Sequence, residues 1–205
     1  MSTKHINENY MHDCGCEKLE LKNCVASITE MGFSENQVVD LLDFYLFHAP
    51  IIKDKNSKNP FNFKSLQEYG WKGNPDLSKL EGRLLKSSGI GMFCFIKADK
   101  IDGTLNSMNL SEKICVEHPR AVIKQNCSVS IQEDGAANVT PNESRMECLF
   151  RHLRNSFAHN HSYMFENNNI LLEDCDDTKK ISARILMPKQ ALIDWMNIVK
   201  NKENS

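Results

Sequence analysis

Residues that could carry out chemistry are concentrated between positions 145 and 161. This stretch has one acid, Glu147, against three arginines and three histidines, which are Arg145, Arg151, Arg154, His152, His159 and His161. At its centre Asn155 follows Arg154 directly, and His159 comes five positions after the arginine. Arginine can bind a phosphate through two parallel hydrogen bonds. Histidine, with an ordinary pKa of about 6.5, can accept or donate a proton near neutral pH. The combination is suited to phosphodiester cleavage.

These residue types match the roles needed in a metal-independent ribonuclease. His159 would act as general base toward a ribose 2′-hydroxyl or as acid toward the leaving 5′-oxygen. Arg154 would stabilise the charge of the transition state, and Asn155 would orient a motif side chain or contact a phosphate. Attack by the 2′-hydroxyl leaves a 2′,3′-cyclic phosphate and needs neither a metal nor an organic cofactor. We expect the neighbouring basic side chains to extend an RNA-binding surface, namely Arg145, Arg151, His152 and His161.

Arg154 and His159 do not share one face of an ideal helix. Five residues turn a side chain by about 140° and advance it by about 7.5 Å. Either the helix loosens before His159, or a second copy of the chain brings its own pair alongside in a two-fold dimer. We favour the homodimer, with a composite site of two arginines and two histidines.

Clear local signals surround this motif. Thr140, Pro141 and Glu143 match the start of a capped helix. Apolar residues then recur at steps of three and four and predict one buried stripe, which is Met146, Leu149, Phe150, Leu153 and Phe157. Residues 170–173 and 181–185 predict a β-hairpin. A last helix is predicted after Pro188, with its apolar face at Leu192, Trp195, Met196 and Val199.

The motif and its surroundings resemble the HEPN superfamily, the higher-eukaryote and prokaryote nucleotide-binding domains. The resemblance covers residues 80–200 and depends on residues 153–160, LRNSFAHN, on the apolar helix before them, and on the hairpin and helix after them. It implies a mainly α fold, a bundle of four to five helices with a small hairpin between the motif helix and the C-terminal helix. It also implies a homodimer in which both R-x4-H motifs line one cleft.

The resemblance also implies function and partners. Many catalytic HEPN proteins are endoribonucleases of toxin–antitoxin, abortive-infection or other antiphage systems, so RNA and an antitoxin protein are the implied partners. Others are inactive dimerisation or RNA- or nucleotide-binding modules, which is the alternative here. A further alternative makes Arg154 and His159 an ordinary solvated face and helix cap. In some HEPN toxins an antitoxin modifies a tyrosine two residues after the motif histidine. This chain has His161 there, and Tyr163, two positions later, is the possible regulatory residue.

The rest of the chain gives weaker signals. Apolar spacing predicts a helix within 19–31, a second from Ser34 to before Pro50, and a third over 77–97 with a break at its glycines. Residues 53–76 indicate a long loop with one short helix, and residues 98–139 show no clear period. We expect a flexible tail at 1–16, one domain at 17–200 and a polar tail at 201–205.

Composition predicts a folded cytoplasmic protein. The chain has 205 residues, 40% hydrophobic and 25% charged, with a net charge of −2, so RNA binding requires a local basic surface. Its longest uncharged apolar run, residues 89–96, is far shorter than the roughly 20 residues of a membrane span, and no signal peptide is evident.

The spacing of the cysteines and the acidic residues does not favour a metal site. The eight cysteines lack a CxxC pair, which favours free thiols over a disulfide framework. The less favoured alternative is a zinc site, because the spacing is unusual for one, at His12, Cys14, Cys16 and Cys24. The acidic run predicts a solvated hairpin tip rather than a metal site, and comprises Glu173, Asp174, Asp176 and Asp177.

Overall fold

A computed structural model describes residues 18–51, 63–131, 137–141 and 143–202. These residues form five α-helices, which are α1 (Glu35–Leu42), α2 (Gly73–Ser88), α3 (Ile101–Ser107), α4 (Arg145–Ala158) and α5 (Gln190–Lys200). They also form nine strands, which are β1 (Lys18–Glu20), β2 (Met92–Ile96), β3 (Lys113–Cys115), β4 (Arg120–Lys124), β5 (Cys127–Ile131), β6 (Ala137–Pro141), β7 (Ser162–Met164), β8 (Asn169–Cys175) and β9 (Ile181–Pro188). The expected tail at 1–16 and the zinc ligands His12, Cys14 and Cys16 lie outside the described residues.

The prediction of a mainly α-helical bundle is wrong, because the chain is a mixed α/β protein. Its centre is a five-stranded sheet in the order β2-β4-β9-β8-β7. Strands β2 and β4 are parallel, and the other neighbours are antiparallel. The helix predicted over 77–97 ends at Ser88, and Gly89 follows in the left-handed conformation with φ +63°. The next apolar run is β2, since a run this short fits a buried strand as well as a helix.

Alternation along the strands gives the sheet two apolar faces. Ile170 and Leu172 of β8 pack into the larger core together with α1, α2, α4 and α5, whereas Leu171 faces a second core built on α3. Successive strand residues point to opposite faces. The predicted hairpin is confirmed as β8 and β9, with Leu172 opposite Ile185. The predicted closing helix is confirmed as α5.

The N-terminal elements are shorter than expected. The helix predicted within 19–31 is wrong, since β1 is followed there by two 3-10 turns, Leu21–Asn23 and Ile28–Glu30. The helix after Ser34 is confirmed as α1. Ser34 Oγ accepts the Gln37 N–H at 3.3 Å, and the helix continues as a π-helix over Asp43–Phe47.

Arg120 binds the segment that follows α3 to the central sheet. This buried side chain donates hydrogen bonds to four backbone carbonyls, those of Met108, Asn109, Cys115 and His118. Burial lowers the pKa of Arg120 to about 10. These bonds tie the segment between α3 and β4, which includes β3, to the first residue of β4.

One cysteine contradicts the expectation of free thiols. Cys115 is disulfide-bonded, whereas Cys24, Cys94, Cys148 and Cys175 are free. The side chain of its partner lies outside the described residues. Cysteine spacing alone does not show such a bond, because pairing depends on which segments the fold brings together.

None of the helices in the described residues has the length and apolar character needed to cross a membrane.

Candidate active site

Helix α4 carries the motif and begins four residues later than predicted. Its N-cap is Ser144, whose hydroxyl accepts the Glu147 N–H at 3.2 Å while the Glu147 carboxylate accepts the Ser144 N–H at 3.0 Å. Thr140 and Pro141 belong instead to β6, which pairs with β5. Both segments match the same capping pattern. Strand pairing, which is not encoded locally, decides between them.

The apolar stripe of α4 is buried as predicted. Met146, Leu149, Phe150 and Leu153 lie in the larger core, and Phe157 packs partly buried against it. The Phe157 and Tyr45 rings lie 5.5 Å apart between centroids. This face anchors the helix and leaves the motif side chains on its other faces.

A polar stripe runs along α4 through His152, Asn155 and His159. These residues are spaced by three and four, so they share one side of the helix. His152 lies at its buried end, where Nδ1 is 2.6 Å from Asp174 Oδ2 and Nε2 is 2.8 Å from the Lys124 carbonyl oxygen. Arg151 Nη2 also lies 3.2 Å from His152 Nε2, so this ring nitrogen has a donor as well as an acceptor as a neighbour.

Asn155 links this buried pair to Arg154. Its Nδ2 donates to Asp174 Oδ2 at 3.1 Å, and its Oδ1 accepts from Arg154 Nη1 at 3.1 Å. The Arg154 guanidinium also lies over the Phe63 ring, 5.7 Å from the centroid. Burial lowers the pKa of Arg154, and the Asp174 charge opposes that shift. Arg154 is therefore held toward the side of α4 that carries Asn155 and His159.

His159 lies at the exposed end of the same stripe. It is the C-cap of α4, and its N–H donates to the Asn155 carbonyl at 3.0 Å. The helix therefore does not loosen before His159. The His159 ring lies 6.0 Å from that of His161, which is half-buried.

His152 and Arg151, which were expected on the RNA-binding surface, have different surroundings in the structure. His152 is buried, so its side chain does not extend the surface. Arg151 is committed to Glu143 through three hydrogen bonds of 2.6, 2.9 and 3.2 Å. Burial by itself would lower the pKa of Arg151, but Glu143 raises it above its usual value.

Arg145 lies far from the His159 end of α4, and the Tyr163 hydroxyl is bonded to a residue outside the motif. Arg145 pairs with Glu81 at 2.8 Å and lies over the Phe95 ring. It is in the first turn of α4, about 20 Å along the axis from His159. The Tyr163 hydroxyl donates to Glu173 at 3.4 Å, and burial, with the Glu173 charge, raises the pKa of Tyr163 to about 12.

Sequence reasoning missed the acids that support this site. Glu173 and Asp174 were expected at a solvated hairpin tip, but both are buried in β8. Asp174 faces α4, and Glu173 pairs with Arg184 of β9 at 2.6 Å. Asp176 does lie in the turn, where it accepts the Thr178 hydroxyl at 2.6 Å. The usable signal was the placement of Glu173 and Asp174 at the end of an apolar hairpin strand.

Comparison with known proteins finds no matching family model, no similar curated protein and no similar solved structure.

Proposed function

We propose that the chain is a metal-independent endoribonuclease that cleaves RNA at a site formed by Arg154, Asn155 and His159. The observation that carries the proposal is the polar stripe of α4. It holds the Arg154 guanidinium on Asn155, one helical turn before the exposed His159 ring. A fixed cation and a solvent-accessible imidazole at the same end of one helix are the two groups that phosphodiester cleavage by an internal hydroxyl requires.

The reaction follows from these groups. The neutral His159 ring removes the proton of the ribose 2′-hydroxyl, whose oxygen attacks the adjacent phosphorus. Arg154 stabilises the charge that develops on the phosphoryl oxygens. The bond from phosphorus to the 5′-oxygen then breaks, and that oxygen takes a proton from the imidazolium or from water. The products are a 2′,3′-cyclic phosphate and a 5′-hydroxyl.

Asp174 is a positioning residue in this proposal. Its carboxylate fixes the Asn155 amide, and the amide in turn fixes Arg154. His152, buried behind them, orients Asp174. RNA would contact the surface at the C-terminal end of α4, where His161 lies next to His159.

A second copy of the chain and an antitoxin protein are the proposed protein partners. The backbone of α4 leaves about 140° between Arg154 and His159. The hydrogen bond to Asn155 turns the Arg154 guanidinium toward the side of the helix that carries His159, and a partner's pair alongside would complete the cleft. The toxin or antiphage setting rests on the resemblance of the motif alone.

The test is cleavage of total RNA and tRNA by purified protein in excess EDTA. We expect fragments with cyclic phosphate ends from the wild type and none from Arg154→Ala or His159→Ala. Lys97→Ala, an exposed change outside α4, is the control. RNA that stays intact but binds the wild type, with binding weakened by Arg154→Ala, would replace this proposal by the inactive RNA-binding module.

Mixing the two inactive variants tests the composite site. If Arg154 of one subunit acts with His159 of the other, random exchange regenerates one intact site in half of the dimers, about a quarter of wild-type activity. If both residues act within one chain, the mixture stays inactive. Light scattering establishes whether the dimer forms.

A further inference from the structure

Three potential metal ligands meet at the edge of the sheet, on the side away from α4. Glu173 and Cys175 are two residues apart in β8 and so point to one face, while Asp174 between them points to the other. His161 precedes the edge strand β7, and its carbonyl accepts the Glu173 N–H at 3.0 Å. The backbone thus holds all three residues together independently of their side chains.

The ligand atoms are nearly at coordination distance. One atom from each of His161, Glu173 and Cys175 lies within 4.8 Å of the other two. Cys175 Sγ and Glu173 Oε1 are 3.7 Å apart, and two such ligands on a tetrahedral zinc are about 3.6 Å apart given usual bond lengths. Arg184 binds Glu173 through Oε2, which leaves Oε1 directed at the cluster.

The His161 side chain also carries a buried polar atom that lacks a partner. The Nδ1 atom of His161 is buried and has no hydrogen-bond partner among the residues that the structure describes. A buried polar atom without a partner costs free energy, and a bound ion is one explanation for such an atom. Among the residues that the structure describes, the donors to Glu173 Oε1 are the Cys175 thiol and the Tyr163 hydroxyl.

We propose that His161, Glu173 and Cys175 bind one zinc ion, with water in the fourth position. A thiolate, an imidazole and a carboxylate are the three ligand types that zinc takes in proteins. The thiolate and carboxylate charges balance the dication, and Arg184 stays paired with the second carboxylate oxygen. The ion would join the segment after α4 to β8.

Binding releases a proton from Cys175. The thiolate is the form of cysteine that binds zinc, so zinc replaces the thiol proton. The site goes beyond the proposed ribonuclease and does not depend on it. Cleavage in EDTA proceeds with this site stripped, so the two proposals fail separately.

The experiment is titration of the EDTA-stripped full chain, with its Cys115 disulfide intact, with cobalt(II), which occupies zinc sites and absorbs when bound to a thiolate. We expect a sulfur-to-cobalt charge-transfer band that zinc abolishes. Cys175→Ser should lose the charge-transfer absorbance that one equivalent of cobalt per chain gives in the wild type. His161→Ala should weaken cobalt binding at least tenfold. Cys94→Ser, another half-buried free thiol in a strand, is the matched control and should keep the band.

Zinc stoichiometry gives a second readout that other cysteines do not confuse. After equilibrium dialysis, the wild type should hold one zinc per chain more than Cys175→Ser, with both proteins folded by circular dichroism. Equal zinc content, or a cobalt band that survives Cys175→Ser, overturns the proposal. A band lost equally in Cys94→Ser also overturns it, since the thiolate would then come from elsewhere.

Discussion

Removal of the Asp174 carboxylate should be among the most damaging single changes in this chain. Its Oδ2 atom accepts two hydrogen bonds, from His152 Nδ1 at 2.6 Å and from Asn155 Nδ2 at 3.1 Å. The His152 and Asp174 side chains are 1% and 4% exposed, so water does not replace the lost acceptor. Asp174→Ala therefore leaves a buried imidazole donor unsatisfied next to the motif.

The magnitude follows from these contacts. A hydrogen bond to a charged group contributes about 1.5–3 kcal/mol, and an unsatisfied buried donor costs about 1–3 kcal/mol. We expect Asp174→Ala to lower the free energy of unfolding by about 3–5 kcal/mol. For a chain of this length that corresponds to a fall in Tm of roughly 6–20 °C. Asp174→Asn keeps an acceptor oxygen without the charge and should lose about half as much.

Urea unfolding followed by circular dichroism measures the effect. Asp177→Ala, at the exposed turn of the same hairpin, is the control and should stay within about 0.5 kcal/mol of the wild type. In the double mutant, His152→Leu should cost less in the Asp174→Ala background than in the wild type, because the partner is already gone. An Asp174→Ala protein as stable as Asp177→Ala would refute the reasoning.

Two further predictions follow from buried groups. Arg120→Met removes the donor to four backbone carbonyls and should lower the free energy of unfolding by about 3 kcal/mol. Urea unfolding measures this change, and the exposed substitution Lys97→Met is the control. If the two variants are equally stable, Arg120 does not have the role assigned to it. In metal-free protein, alkylation of Cys175 by iodoacetamide should become fast only as the pH approaches about 11, with Glu173→Gln moving that midpoint lower because a negative charge is removed. Because the pKa of the Cys175 thiol is raised in the folded state, the stability that the neutral thiol contributes is complete below the usual thiol pKa of about 8.5 and is lost as the pH rises through about 11. An alkylation midpoint that is unchanged in Glu173→Gln would show that the Glu173 charge does not raise this pKa.

Local pattern was sufficient for several elements around the site. The buried stripe of α4, the β8–β9 hairpin and the closing helix α5 follow from periodicities that each segment carries within itself. The helix start at Ser34 is also a local feature, since the structure shows that its capping partner, Gln37, is three residues away. The motif residues Arg154, Asn155 and His159 were also chosen on residue type and spacing alone.

Strand pairing explains why the fold class was wrong. The apolar run of β2 has no period that separates a strand from a helix, and it becomes a strand by pairing with β4, about 28 residues later. Thr140 and Pro141 match a helix start but pair with β5. Such pairings depend on segments distant in the chain, which local propensity does not reveal.

The sequence by itself determined which residues are chemically suited to act, namely Arg154, Asn155 and His159. Only the tertiary structure decided what surrounds them. Glu173 and Asp174 look alike as neighbours in an acidic run, yet the strand turns one toward Arg184 and the other toward His152. The physical reason is that a charge can be buried only where a partner is present. Here each partner comes from a different element of the fold.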